Sequence, residues 1–296
     1  MSTVQTVPLV PPHRSLAERY PALRRFLRHR AALLGVGIVL FMTLLSFVGP
    51  LLMPFNATDT DIRARLAVPF AGPHVLGTDP LGRDVLARLM YAGRISLAVG
   101  FAATALSVVV GVLVGLVAGF YRGAIGAALM RFVDAMLCFP TIFLLLAIAA
   151  LIEPSVTSIV LLIALASWME VARVVEGQIR SLRERDFALA AESLGASDSR
   201  IMFRELLPNA VAPIVVAATL NIAHAILAES YISFLGFGIQ PPTPSWGNML
   251  ENAQSYLTNA PWLAIVPGLA ITLTVTSFNF IGDGLREYLD PKQRRR

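Results

Sequence analysis

The chain has 296 residues, 56% of them hydrophobic and 15% charged, with a net charge of +5 and a mean hydropathy of +0.68. A soluble domain carries about a quarter charged residues, so the balance marks a membrane protein and excludes an ordinary soluble enzyme. Arginines dispersed between apolar runs exclude nucleic acid as a partner; Lys292, the only lysine, excludes a GxxxxGK[ST] phosphate loop; and His13, His29, His74, His224 and the single Cys138 have no metal-ligand spacing.

A helix needs about 20 apolar residues to cross roughly 30 Å of hydrocarbon while satisfying its own backbone. Residues 1–30 form an arginine-rich N-terminal segment, and the apolar run 31–53 is too long for a signal-peptide core and lacks a small-residue cleavage site. It is read as a retained first span. In the outer loop 54–94, the stretch LGTDPLGRDVLARLMYAGRISL (76–97) offers Asp79 as an N-cap and Val85, Leu86, Leu89 and Met90 near helical spacing. Two readings stand: an interfacial amphipathic helix leading into the second span, or an ordinary surface helix.

Further spans are expected at 95–120, 132–152, 156–175, 210–232 and 262–281, with 95–281 as the core of an all-α membrane protein. Gly111, Gly115 and Gly119 in the second span form a small-residue run that permits close helix approach. The loop 233–261 holds a Pro- and Gly-rich stretch (236–250), expected to be irregular and exposed outside; 282–296 is a polar tail.

Of the 24 Lys and Arg, only Arg63, Arg65, Arg83, Arg88 and Arg94 fall outside if the N-terminus is cytoplasmic. The excess of positive charge on the other side places both termini and residues 176–209 in the cytoplasm of a multi-pass chain.

Residues 186–209, DFALAAESLGASDSRIMFRELLPN, are a charged insert in this apolar setting. Phe187, Ala190, Ala191 and Leu194 recur at i, i+3, i+4 and i+7; Gly195 suits the left-handed position that ends a helix; Ser197 or Asp198 can cap a second helix carrying Ile201, Met202, Phe203, Leu206 and Leu207; and Pro208 should stop it. Such a pair can lie on the membrane, pack on its own bundle or fit a partner's groove.

The spacing of Ala190, Ala191, Gly195, Leu207 and Pro208 is similar to the coupling motif of permease subunits of ATP-binding-cassette (ABC) importers, EAA, three residues, G, nine residues, I, one residue, LP. The Glu and Ile slots hold Leu189 and Glu205. LRRFLRHRAALLG (23–35), HVLGTDPLGRDVLARLMYAGRISL (74–97), SFLGFGIQPPTPSWGNML (233–250) and GDGLREYLDP (282–291) resemble the C-type permease subunit of dipeptide and oligopeptide importers. The resemblance implies a six-span type I importer permease fold in the bacterial inner membrane, with a cytoplasmic coupling helix-turn-helix between spans 4 and 5. It also implies a second homologous permease as heterodimer partner, two ATPase subunits carrying ATP and Mg, and an extracytoplasmic substrate-binding protein. No cofactor is expected on this chain. Phe187, Ala190, Ala191, Gly195, Ala196, Ile201, Phe203, Leu207 and Pro208 are then the candidate ATPase-coupling residues, and the outer Pro-rich loop with 76–94 is the candidate surface for the binding protein.

Charged and polar groups within spans are functional candidates. Asn221 and Glu229 are the candidate pathway groups, while Glu170 with Arg173, or Arg173 with Glu176, are spaced to pair along one helix; Asp134 and His224 complete the set. Two rivals, an ion-gradient-driven transporter or channel and an intramembrane enzyme, would show inverted repeats or a catalytic constellation, and neither is evident.

Overall fold

The computed structural model describes residues 29–251 and 253–289, so Arg14 to Arg28 and the basic tail from Lys292 lie outside the described residues. Among them the main elements are helices: α1 Arg30–Phe47, α2 Gly49–Leu52, α3 Val85–Phe120, α4 Ala124–Leu137, α5 Thr141–Ala149, α6 Val156–Arg183, α7 Asp186–Ser193, α8 Asp198–Arg200, a π-helical turn Ile201–Leu206, α9 Leu207–Phe234, α10 Trp246–Leu250 and α11 Trp262–Leu289. Five helices are long and apolar enough to cross a membrane: α1, α3, α6, the continuous Asp198–Phe234 rod and α11. The third expected span, 132–152, is instead the pair α4 and α5, bent by 80°, and gives a sixth span if the pair crosses as one. Pro140 explains the break, because it donates no N–H and drives the residue before it out of helical geometry.

The stretch 76–97 does not form a helix of its own. Helix α3 starts at Val85 and runs 36 residues without interruption, burying Val85, Leu89 and Met90 in its own bundle. Its cap is Asp84, not Asp79: the Asp84 carboxylate accepts the Ala87 N–H at 2.7 Å and pairs with His74 at 2.9 Å. Asp79 instead closes the turn before it, accepting the N–H groups of Leu81 and Arg83 and pairing with the Arg83 side chain at 2.6 Å.

Helices α3 and α6 share the broadest interface. It is close because the glycine run lies against α6 backbone: a Cβ on Gly111, Gly115 or Gly119 would stand 2.7, 2.5 or 2.8 Å from the carbonyl oxygens of Trp168, Ala172 and Glu176. Near one end of the bundle, Leu116, Phe120, Val175, Ile179 and Leu206 form a core; towards the other, Val99, Ala103, Ile159, Ile163 and Ile232 form a second.

The stretch 236–250 departs from the expected exposed loop. Residues 244–248 are buried, Trp246 wholly so, with its indole N–H donating to the Leu89 carbonyl at 3.2 Å. Glycine permits this descent, since a Cβ on Gly247 would sit 2.5 Å from the Ser230 carbonyl on α9. The crest around Gln240, Pro241 and Pro242 is exposed, as is Phe237 before it.

Candidate functional site

The helix-turn-helix at 186–209 lies at the end of the bundle where α3 finishes. Asp186 sits in the first turn of α7, where a negative charge complements the helix dipole. The helix ends in a Schellman motif: the Ala196 N–H donates to the Ala191 carbonyl at 3.1 Å and the Gly195 N–H to the Glu192 carbonyl at 3.0 Å, with Gly195 at φ +76°. This geometry explains the motif spacing. Ala191 and Ala196 occupy the two positions whose side chains meet across such a turn, and both are half-buried against the adjoining core.

The stripe read from the sequence divides. Ala188 turns inward and is buried among Leu116, Phe120, Ile179 and Ile201. Phe187, Ala190 and Leu194 form the outward ridge at i, i+3 and i+7, with Leu194 88% exposed. Across the turn, Phe203 is half exposed, whereas Ile201 is buried and so fills its own chain's core rather than a partner's groove. Leu189, which breaks the Glu slot of the motif, is also exposed.

Pro208 does not stop the second helix. It stands in the first turn of α9, and the chain passes through a π-helical turn in which the Leu207 N–H donates to the Met202 carbonyl five residues back. A proline has no N–H to give and its ring crowds the carbonyl four residues earlier; the widened turn accommodates both constraints without a break. From Asp198 to Phe234 the helix therefore runs 37 residues, a rod of roughly 55 Å at 1.5 Å per residue.

Three polar ties, none foreseen, fix this element to the bundle. Arg183 at the end of α6 donates to the Phe120 carbonyl, covers the Phe120 ring at 4.5 Å and reaches Glu192 of α7 at 3.8 Å. Arg122 pairs with Glu184 at 2.8 Å. Tyr121 hydrogen-bonds Asp198, whose carboxylate pushes the phenol's pKa up. Arg183 follows the helix-terminal rule for basic residues, a signal legible in the sequence, but its partners come from α3 and α7.

Within the spans, Arg173 pairs across helices with Asp134 rather than with Glu170 or Glu176 on its own helix; Glu170 faces His224 at 3.9 Å and Glu176 faces Arg180 at 3.7 Å. The expected pairing of Arg173 with Glu170 or Glu176 yields to Asp134 on α4 and, for Glu170, His224 on α9, while Glu176 keeps a same-helix partner in Arg180. Asn221 is buried, its amide donating to the Ser167 carbonyl at 3.4 Å while its carbonyl oxygen has no partner among the described residues. Glu229 is wholly buried rather than set on an open passage, with Ser96 and Ser233 donating to its two oxygens at 3.0 and 2.7 Å. No cluster of three or more His, Cys, Asp or Glu suited to a metal occurs among the described residues.

Comparison with known proteins gives two family matches: residues 111–295 match the binding-protein-dependent transport system inner membrane component, and residues 21–73 the N-terminal TM domain of oligopeptide transport permease C. The chain is 40% identical over 273 residues to the dipeptide transport system permease protein DppC of Alkalihalophilus pseudofirmus, covering 92% of this chain and 90% of that one. It is 38% identical over 272 residues to the protein of the same name from Haemophilus influenzae, covering 90% and 92%.

Proposed function

This chain belongs to the family of binding-protein-dependent transport system inner membrane components, and from that premise we propose that its 186–209 segment takes the thrust of a separate ATPase and passes it to a di- or oligopeptide pathway. The chain is a permease subunit of an ABC importer. In the proposed assembly it supplies half of the pathway, a homologous permease the other half, two ATPase subunits hold ATP and Mg, and a binding protein delivers peptide from outside. The peptide assignment rests on relatives that are dipeptide transport permeases.

One observation carries the coupling role. The outward ridge of Phe187, Ala190 and Leu194 is joined by a rigid Schellman turn to a helix that continues unbroken from Asp198 to Phe234. A push on the turn has no flexible linker in which to dissipate, so it reaches the far end of the bundle as a rigid-body motion, the kind of element that alternating access needs. The same end carries Arg122, Arg180, Arg185, Arg200 and Arg204, which supports its placement in the cytoplasm. Both termini then lie inside, and the 54–84 segment with the crest at Gln240–Pro242 faces the binding protein.

Leu194→Arg tests the reading. Leu194 is the most exposed apolar side chain of the ridge, so its replacement spares the fold and places a long charge where a groove should close. Co-purification of the ATPase with the permease should fall about tenfold or more. Undiminished co-purification with normal peptide uptake would remove the segment from the interface.

A further inference from the structure

We infer that Glu229 is a positioning residue: through the Ser96 and Ser233 hydroxyls it fixes the outer segment 236–250 to α3 and α9, so that this segment moves as one body with the outer end of the Asp198–Phe234 rod. A fully buried carboxylate at membrane depth is costly, and a leucine would fill the space without desolvating a charge. What the carboxylate offers is acceptor capacity, about four lone-pair sites and no donor of its own.

The surroundings use that capacity in a repeated way. The Trp246 N–H donates to Ser96 Oγ and the Ile239 N–H to Ser233 Oγ, each at 3.1 Å. Each hydroxyl passes its own proton inward. Ser96 donates to Glu229 Oε2 at 3.0 Å and Ser233 to Oε1 at 2.7 Å. Two backbone N–H groups of the outer segment thus converge, through two serines, on one side chain of α9. Glutamine offers one acceptor oxygen in place of two and turns an NH2 donor towards the other hydroxyl, which must then give up its own donation.

The segment so held is closed on itself, with the Asn248 side chain donating to the carbonyls of Ile239 and Thr243 at 2.9 and 2.8 Å. It also lies directly on the helix, since a Cβ on Gly238 would stand 2.1 Å from Ser233 Oγ. Its far side, Pro242, Thr243 and Pro244, walls an outer cavity of about 470 Å³ together with Tyr91 and Arg94. Glu229 sets where that wall stands without touching it. The transport consequence rests on the proposed function; the positioning itself does not.

Amide-resolved hydrogen exchange on the intact transporter in lipid nanodiscs tests the inference. Glu229→Gln should raise exchange across 236–250 by roughly tenfold while α3 and α6 stay protected, and Glu229→Asp, which keeps the carboxylate, should recover part of that protection. Ser96→Ala should expose the Trp246 amide and Ser233→Ala the Ile239 amide, each alone; these small changes give the answer even if Glu229→Gln does not fold. Unchanged protection in Glu229→Gln, or serine variants that loosen the whole bundle alike, would overturn it. In the assembled importer, the ratio of binding-protein-stimulated to basal ATP hydrolysis should fall severalfold in Glu229→Gln. A loosened segment with an unchanged ratio would uphold the positioning role and remove its link to transport.

Discussion

Arg183 lays its guanidinium 4.5 Å over the Phe120 ring and donates to the carbonyl of the same residue, so one side chain joins the ends of α3 and α6 and still reaches Glu192 of α7 at 3.8 Å. A planar cation stacked on an aromatic face contributes about 0.5–2 kcal/mol, and lysine does not reproduce both the stacking and the forked donation. Arg183→Ala should therefore quicken proteolytic cleavage between residues 184 and 197 and lower stimulated ATP hydrolysis severalfold, and Arg183→Lys should restore little of either. Full recovery with lysine would show that only charge is needed there.

At Gly195 the backbone alone decides the outcome. The residue stands at φ +76°, and among the described residues nothing lies within 4 Å of a Cβ added there. Any loss on substitution is the cost of the left-handed conformation, roughly 1–2 kcal/mol for an ordinary residue and less for asparagine. Stability of the turn, read by exchange of the Ala196 amide, should fall in the order Gly, Asn, Ala, Val. Equal values for Asn and Val would mean that the left-handed turn does not persist in the membrane.

The features legible in the sequence are those set by near neighbours or by composition. Gly195 as a helix terminator, the glycine run on α3 and most of the spans depend on a few consecutive residues or on a long apolar average. Choices decided by distant partners were not legible. Asp79 and Asp84 are both competent caps, and Asp84 takes the role with His74 ten residues away as its second partner. Arg173 had same-helix acids in reach, yet pairs with Asp134 on α4. The Pro- and Gly-rich composition of 236–250 signals irregular backbone correctly up to α10. Its burial depends on Ser96 and Glu229, from other parts of the chain. The break at Pro140 follows from proline's own chemistry, but the apolar average across 132–152 conceals it.

The tie between Tyr121 and Asp198 has a defined pH signature. The hydrogen bond to the Asp198 carboxylate raises the phenol's pKa, so the folded protein favours the protonated phenol. A raised folded pKa contributes stability that is complete below the unfolded value of about 10 and disappears as pH climbs through the folded value. The tie is thus fully formed at physiological pH. Tyrosinate absorbance, taken as wild type minus Tyr121→Phe, should titrate above the ordinary tyrosine midpoint, and Asp198→Asn should bring it down. A midpoint at the ordinary value in wild type would show that the contact is absent in solution.

Two glycines on facing helices give opposite expectations for one chemical change. At Gly115 an added Cβ would meet the Ala172 carbonyl at 2.5 Å and Val175 Cβ at 2.7 Å, and both belong to α6 itself rather than to the end of a flexible side chain. The helices must part to admit a methyl group, which in a packed interface costs about 1–3 kcal/mol. Gly177, on α6, has no described residue within 4 Å of its added Cβ. There alanine removes the entropic penalty of a helix-interior glycine and contributes about 1 kcal/mol. Thermal unfolding of the purified chain should therefore shift downward for Gly115→Ala and upward for Gly177→Ala. If both move the same way, the close approach of α3 and α6 does not limit stability; a drop at Gly177 confined to the assembled transporter would mark that face of α6 as covered by a partner chain.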